Sequence, residues 1–399
     1  MMNYDVIIVG AGIVGLSTAL NIIEKDKKTK ILILEKETKI SFHQSGRNSG
    51  VIHSGIYYKP NSLKAVNCIK GRLKLIDFCN EEGIKYDICG KLIVATSNDE
   101  INQLFKLKER GINNGLKGIK ILSKDEIKEK EPHTTGLKGL LIPQSGIVDY
   151  KEVAKKIANK IIRLGGEIFF NTKVLDIIEA DNYVEVITPN ITLHTKRLIS
   201  CAGLYSDRLA RKTNPNIDVR ITPFRGEYFL VKEEFKYLVK NLIYPVPNDD
   251  FPFLGVHFTR MINGDIECGP NAVFAFSREG YSKFNFNFYD FYEALSWPGF
   301  LTLATKYWRE GMLEVYRSLF KDAFVKALQK LVPDIRSEYL FPTTPGIRAQ
   351  ACSIDGKLVD DFYFVQKKNI IHVCNAPSPA ATASLSIGEY ISDKYREML

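Results

Sequence analysis

Two stretches of this chain combine residue types at spacings that do chemistry. The first is Gly10, Gly12 and Gly15, a G-x-G-x-x-G within "VIIVGAGIVGLSTALNII". Gly10 permits a tight turn, Gly12 lets the backbone approach a pyrophosphate, and Gly15 lets a helix pack close to the preceding strand. The N-terminus of that helix offers unpaired N–H groups and a positive dipole end to phosphate oxygens. Glu35, closing "KILILE", is placed to accept hydrogen bonds from a ribose diol and to repel the extra phosphate of NADP. NAD and FAD share this fingerprint, so the glycines alone do not choose between them.

The second stretch is "GRNSGVIHSGIYYKP", Gly46 to Pro60, where small residues surround one histidine. Ser49, Gly50, Ser54 and Gly55 let a loop lie close to a flat cofactor, and the His53 imidazole titrates near neutral pH. A lone histidine is more often a satisfied structural residue, and that reading stands beside the catalytic one. His257, at the end of "FPFLGVHFT", is a second candidate. His133 and His194 lie in polar contexts that suit the surface, and His43 and His372 suit structural roles.

The elements that must position these residues follow from periodicity. A helix is expected over about Ser62 to Glu82, a strand at "GKLIVAT", and a helix around Glu100 to Asn113. A helix over Lys151 to Leu164 leads into "GGEIFFNTKVLDII" and "YVEVIT", a strand and hairpin pattern. "KRLISCAG" reads as a buried strand ending at Gly203, with "LYSDRLARK" opening the next helix. From Val219 the strands "VRITPFRGEYFLV", "FPFLGVHFT" and "GDIECGPNA" suit an antiparallel sheet with one face on a core and the other towards a ligand. Tyr292 to Leu331 is mostly helical, broken at Pro298 and Gly299, and its aromatics alternate with basic residues. Two readings of that region stand: helices covering the sheet, or a face for a membrane surface. "NIIHVCNAPSPAATASLSIGEYI" reads as strand, loop and helix.

Bulk properties bound the answer. A chain of 399 residues favours two or three packed units. The net charge of +9 comes from scattered lysines, which argues against a nucleic-acid site while suiting anionic substrates or an anionic membrane face. Seven cysteines without a CxxC pair read as reduced thiols of a cytoplasmic protein, with neither a disulfide framework nor a zinc site. Val6 to Ile23 has no charged residue and reaches the lower edge of a membrane span, but the glycine spacing favours a buried strand-turn-helix. The first strand begins at once, leaving no room for a transit peptide.

The motifs "HQSGRNSGVIHSGIYYKP", "CAGLYSDR", "PFRGEYF", "YPVPNDDFPFLGVHFTR", "GPNAVFAFSREGY" and "NAPSPAATAS" occur in order along the chain. Together with the nucleotide unit they make it resemble the FAD-dependent D-amino-acid-oxidase-like superfamily, and within it the L-2-hydroxyglutarate dehydrogenase (oxidase) family. The resemblance implies an α/β (α+β) fold in which a Rossmann-like FAD-binding domain (1–85, 146–215, 343–399) is interleaved with a substrate domain (86–145, 216–342) built on a mixed or antiparallel sheet with covering helices. It implies oxidation of the C2 hydroxyl of L-2-hydroxyglutarate, with electrons passed to a quinone or another acceptor.

Carried over residue by residue, the resemblance gives Gly10, Gly12, Gly15 and Glu35, with their neighbours Ile13, Val14 and Lys36, to the ADP half of FAD. Ser45, Asn48, Ser49, Gly50 and Val51 line the pyrophosphate and flavin edge, Val174 the adenine, and Ala202 and Gly203 a further contact. Asn375, Ala376, Pro377 and Ser378 meet the flavin pyrimidine at the last helix. Arg47 stands where many members carry histidine. Alcohol oxidation needs a base, a hydride acceptor and cations that hold the carboxylates. His53 is the first choice of base and His257 the second. Arg348, in "TTPGIRAQ", matches the arginine that binds the α-carboxylate, with Arg225 as the alternative, while Tyr58, Lys59 and Arg260 are weaker candidates for the distal carboxylate. Cys352 does not match the spacing of covalent flavin attachment, so FAD is expected to be noncovalent. The rival activities are amine oxidation of the glycine oxidase type, a related 2-hydroxy-acid or glycerol 3-phosphate dehydrogenase, and a flavin-binding scaffold. A peripheral seat on the inner face of the cytoplasmic membrane is the remaining partner expectation.

Overall fold

The protein is described by a computed structural model covering residues 4–248 and 253–399. Strand Tyr4–Val9 pairs in parallel with Ile31–Leu34 on one side and Thr192–Ser200 on the other. Glu167–Phe169 adds beyond Ile31–Leu34, and Ile370–Asn375 beyond Thr192–Ser200, both parallel. A parallel strand buried on both faces reads as an unbroken apolar run, which is why "VIIV" shows no alternation. Val6 and Ile8 pack in one core with helices Ile13–Lys25, Tyr150–Arg163 and Ala380–Arg396. Ile7 and Val9 face the other way, onto Val184, Val186 and Leu193 of an antiparallel extension. Gly388 lets helix Ala380–Arg396 press on helix Ile13–Lys25, since a Cβ there would lie 2.5 Å from the Ser17 backbone.

A second eight-stranded sheet runs in the order Leu340–Pro342, Phe229–Val231, Ile266–Gly269, His257–Arg260, Leu242–Pro245, Lys91–Ala95, Lys138–Ile142 and Lys120–Leu122. It is mixed: Lys91–Ala95 and Leu242–Pro245 run parallel, and the other pairs are antiparallel. Residues directly opposite share a face, so Lys91, Leu242, Thr259 and Glu267 form one cross-strand row. Ile93, Tyr244 and His257 form the next row of the same face. The alternate residues Leu92, Ile243, Phe258 and Cys268 pack on Phe324, Val325 and Leu328 of helix Lys321–Gln329. The face left free of that helix is the one that looks on the candidate site.

The structure departs from the sequence expectations at identifiable points. "VRITPFRGEYFLV" is two strands, Val219–Gly226 and Phe229–Val231, in different sheets. The chain crosses between them at Gly226, where a Cβ would lie 2.7 Å from Pro270 Cβ. Strand Val219–Gly226 pairs with Gly346–Ser353 in a separate three-stranded sheet. "FPFLGVHFT" begins as a strand only at His257, and its first two residues lie outside the described ones. "GGEIFFNTKVLDII" divides into Glu167–Phe169, on the parallel sheet, and Asp176–Glu179, in the antiparallel extension. Pro298 starts a helix, Pro298–Lys306, at the position where its missing N–H costs nothing.

Candidate functional site

The turn after Tyr4–Val9 holds Gly10 at φ +103°, where a Cβ would meet the Cys201 carbonyl oxygen at 2.5 Å. A Cβ on Gly15 would lie 2.1 Å from the Gly10 oxygen, so helix and strand touch through backbone. Gly12 is different: only the Ser45 hydroxyl, 3.2 Å from a built Cβ, stands near it. That hydroxyl accepts the Ile13 N–H at 2.9 Å, occupying one of the orphan donors of the helix start. Glu35 is buried and accepts the Ala11 and Glu37 N–H groups at 2.8 and 2.9 Å, which fixes its carboxylate at the edge of the same opening.

From this cradle a cavity of about 960 Å3 runs through the molecule. Its nucleotide end is lined by Gly10, Gly12, Ile13, Val14, Gly15, Glu35, Lys36, Val174, Ala202 and Gly203. Ser45, Arg47, Asn48, Ser49, Val51 and Asn375 to Ser378 line its middle. His53, Tyr57, Tyr58, Tyr228, Tyr244, His257 and Arg348 line its far part. Within the described residues the opening takes a long dinucleotide: glycine backbone at one end, a helix N-terminus, a carboxylate for a diol, and small residues along the course.

The base candidates are held from behind. The His53 N–H donates to Thr382 Oγ1 at 3.1 Å and its carbonyl accepts the Cys68 thiol at 3.4 Å, tying the loop to helices Ala380–Arg396 and Leu63–Glu82. Burial holds the His53 imidazole well below its usual pKa, and the positive charges of Lys91 and Lys64 act in the same direction. His257 Nδ1 lies 2.9 Å from the Gly255 carbonyl oxygen. A carbonyl only accepts, so Nδ1 carries the proton and Nε2 keeps a lone pair. Burial pushes its pKa down to about 3. Both imidazoles are therefore neutral, the form a base requires.

Arg348 lies on strand Gly346–Ser353 with its guanidinium 5.4 Å from the Phe253 ring centroid and one N–H donating to the Asn271 carbonyl at 3.3 Å. The remaining donors of the fork suit a carboxylate. Arg225 does not join it. Arg348 pairs across the ladder with Phe224, so the adjacent Arg225 points to the opposite face. There it donates to the Ser282 carbonyl at 3.0 Å and to Glu227 at 3.2 Å, which removes it from the substrate-binding candidates. Lys59 is exposed and outside the lining, because the turn after Tyr58 carries it outwards. Arg260 also lies outside and pairs with Asp87.

Gly50 likewise lies outside the lining; its φ of +71° and the Val148 oxygen, 2.7 Å from a built Cβ, make it a turn residue. Asn375 reaches the lining, yet its amide group is spent on the Val359 and Asp361 carbonyls at 2.8 and 2.9 Å. Lys36 is held among Glu37, Glu279 and His43. Arg47 lies 3.8 Å over the Tyr281 ring. Cys352 is buried away from the cavity, and all seven cysteines are unpaired. Lys64, Tyr228 and Tyr244 were not singled out from the sequence. Lys64 looks like a surface residue of a helix, and only its proximity to Asp360, 2.7 Å away across the chain, brings it to the cavity.

A strand-turn-helix nucleotide cradle joined by one cavity to a pair of neutral histidines and an arginine defines a dinucleotide-dependent oxidoreductase. The family model described as "FAD dependent oxidoreductase" matches residues 5–394. The chain is 53% identical over 389 residues to the L-2-hydroxyglutarate dehydrogenase of Indibacter alkaliphilus, covering 97% of each, and 44% identical over 412 residues to the mitochondrial L-2-hydroxyglutarate dehydrogenase of Homo sapiens, covering 99% of this chain and 89% of that one. Its structure superposes on the FAD-bound, dithionite-reduced L-alpha-glycerophosphate oxidase of Mycoplasma pneumoniae with TM-score 0.80 at 25% identity, covering 100% and 95% of the two chains. The chain belongs to the FAD-dependent oxidoreductases and, among them, to the L-2-hydroxyglutarate dehydrogenase family. FAD is its cofactor, and the residues of the cradle fit it.

Proposed function

We propose that this protein oxidises L-2-hydroxyglutarate to 2-oxoglutarate. The observation that carries the reading is the convergence of His53, His257 and Arg348 on the part of the cavity away from the nucleotide cradle. FAD, when bound, supplies the acceptor for the hydride that leaves C2. Arg348 holds the α-carboxylate and so sets which face of C2 is presented. His53 accepts the hydroxyl proton at a neutral ring nitrogen, and His257, whose Nε2 also keeps a lone pair, is the second acceptor for the same proton. Lys64 and Tyr58, which line the same region, take the distal carboxylate in place of Lys59 and Arg260. Burial of the histidines keeps water from competing for the proton.

The test is turnover with an artificial electron acceptor on a panel of L- and D-2-hydroxyglutarate, lactate, glycerol 3-phosphate and glycine. Stoichiometric 2-oxoglutarate from the L-isomer supports the reading. Turnover of glycine alone replaces it with amine oxidation.

The electrons pass on to a quinone or another acceptor, and an exposed apolar face supports a seat for the protein on the inner surface of the cytoplasmic membrane. No helix among the described residues is long and apolar enough to cross a membrane. Residues 284–320 nevertheless expose Phe284 (88%), Phe288 (74%), Trp308 (59%) and Phe320 (55%), together with Lys306 and Arg309. Aromatic and basic residues on one surface suit an anionic bilayer interface. Cosedimentation with vesicles containing phosphatidylglycerol, lost in a Phe288→Ser/Trp308→Ser variant, supports this placement; equal recovery with neutral and anionic vesicles contradicts it.

A further inference from the structure

Lys91 is the most deeply buried cation among the described residues, and the site described above leaves it unused. It is 1% exposed, and its Nζ has no hydrogen-bond partner. A lysine buried without a partner carries a large desolvation cost, and folds keep one only where something offsets it. The ammonium lies 3.9 Å from the ring centroid of Tyr244 and 5.3 Å from that of Tyr57, both of which form the wall of the cavity. Tyr244 has His257 stacked on it, with centroids 3.8 Å apart. Lys91 therefore stands behind the wall on which the base candidates rest, one cross-strand row away from His257.

We propose that Lys91 is a positioning residue for the proton transfer: its unpaired cation, acting through the Tyr57 and Tyr244 wall, adds to burial in keeping His53 and His257 unprotonated. The inference rests on the assignment of those histidines to the reaction. Nothing facing Lys91 cancels its charge near neutral pH: Glu267, in the same cross-strand row, is raised by burial to about 8 and stays protonated there. Its other ionisable neighbours are the thiols of Cys68, on helix Leu63–Glu82, and Cys89, just before its own strand. Both thiols are raised by burial, Cys68 up to about 12, and are uncharged near neutral pH. The remaining charges that face the histidines, Lys64 for His53 and Arg348 for His257, are also positive. Burial lowers Lys91 itself to about 7, so its charge is present in the acid range, where an imidazole would otherwise gain a proton.

The test compares the holoenzyme with Lys91→Met and Lys91→Arg by two readouts: titration of the histidine imidazole signals by NMR, and the pH profile of kcat/KM. In Lys91→Met the His53 and His257 midpoints are expected to rise by roughly one pH unit, a tenfold change in the imidazolium fraction, and the acid limb to rise with them. Lys91→Arg keeps both near wild type. Removing an unpaired buried cation should leave Lys91→Met at least as heat-stable as wild type; Lys91→Gln makes the same test if the methionine variant does not fold. Midpoints that stay in place in a folded, neutral variant overturn the inference. Midpoints that move while the acid limb stays keep the charge coupling but remove the histidines from the reaction, and with them the positioning role of Lys91, which overturns the inference through the proposed function.

Discussion

The imidazole of His257 lies over the ring of Tyr244, with centroids 3.8 Å apart and planes 24° apart, while its Nδ1 faces the Gly255 carbonyl oxygen at 2.9 Å. Stack and hydrogen bond together fix ring plane and tautomer, so Nε2 reaches the cavity as a lone pair. His53 is anchored by its backbone, and its ring is left to the substrate. The two histidines should therefore fail differently. His53→Ala is expected to lower kcat/KM by about 10²–10⁴-fold, the usual weight of a general base, while His257→Gln, which keeps a polar group in the stack, should cost about tenfold. Steady-state kinetics on both variants, with flavin content matched, checks the order.

Activity should persist into acid. A base acts while unprotonated, and both histidines have their pKa lowered, His257 to about 3. The acid limb of kcat/KM is thus expected below the ordinary histidine value of about 6.5. A limb at or above that value would mean that neither imidazole is the base.

The three glycines of the turn should separate by what a methyl group meets. Gly15→Ala and Gly10→Ala drive a Cβ into backbone oxygens at 2.1 and 2.5 Å, and Gly10 has a positive φ as well. Both should unfold or lose several degrees of Tm. Gly12→Ala meets only the Ser45 hydroxyl at 3.2 Å and should fold, yet retain less FAD because the methyl occupies the approach to the pyrophosphate. Tm and bound-flavin ratio, measured on the same preparations, distinguish the two classes.

Arg348 and Arg225 sit on paired strands with opposite facing, and their variants should divide accordingly. Arg348→Met is expected to raise KM for the dicarboxylate by about 10²-fold or more, corresponding to loss of a charge-assisted pair inside the cavity. Arg225→Met should lower Tm, since it removes the donors to the Ser282 carbonyl and to Glu227, which keeps only Ser318, Asn271 and Lys283, with KM changed less than about threefold. The comparison needs only Michaelis curves and melting curves.

Glu267 adds a pH signature of stability. It lies in the same cross-strand row as Lys91, one of its carboxylate oxygens has no partner, and burial raises its pKa to about 8 from 4.5. The folded form thus holds a proton that the unfolded chain releases above pH 4.5. Stability from this group is full below that pH and is lost as the pH rises towards 8. Relative to wild type, Glu267→Gln should gain stability across this window, by a few kcal/mol at most. Denaturant unfolding of both proteins at the two ends of the window measures the difference.

What the sequence made legible follows period and chemistry. The nucleotide strand-turn-helix could be read residue by residue, because each glycine answers a local backbone demand and Glu35 follows at the end of the next strand. The histidine loop was legible as a small-residue strip. Arg225 was not, because facing on a paired strand is set by ladder register, and both arginines sit in similar glycine- and proline-flanked motifs. Lys91 was hidden for the same reason: nothing within "GKLIVAT" marks it as buried, and only the partner strands bury it. Lys64 came to the cavity through a contact nearly three hundred positions away in the chain.

The central claim is that L-2-hydroxyglutarate delivers a hydride from C2 within this cavity. The most direct measurement is anaerobic mixing of the purified holoprotein with L-2-hydroxyglutarate while the oxidised-flavin absorbance is followed. The account predicts complete bleaching, with one 2-oxoglutarate formed per flavin, slowed when C2 carries deuterium and strongly retarded in His53→Ala. Flavin that stays oxidised with the L-isomer but bleaches with glycine or the D-isomer would contradict it.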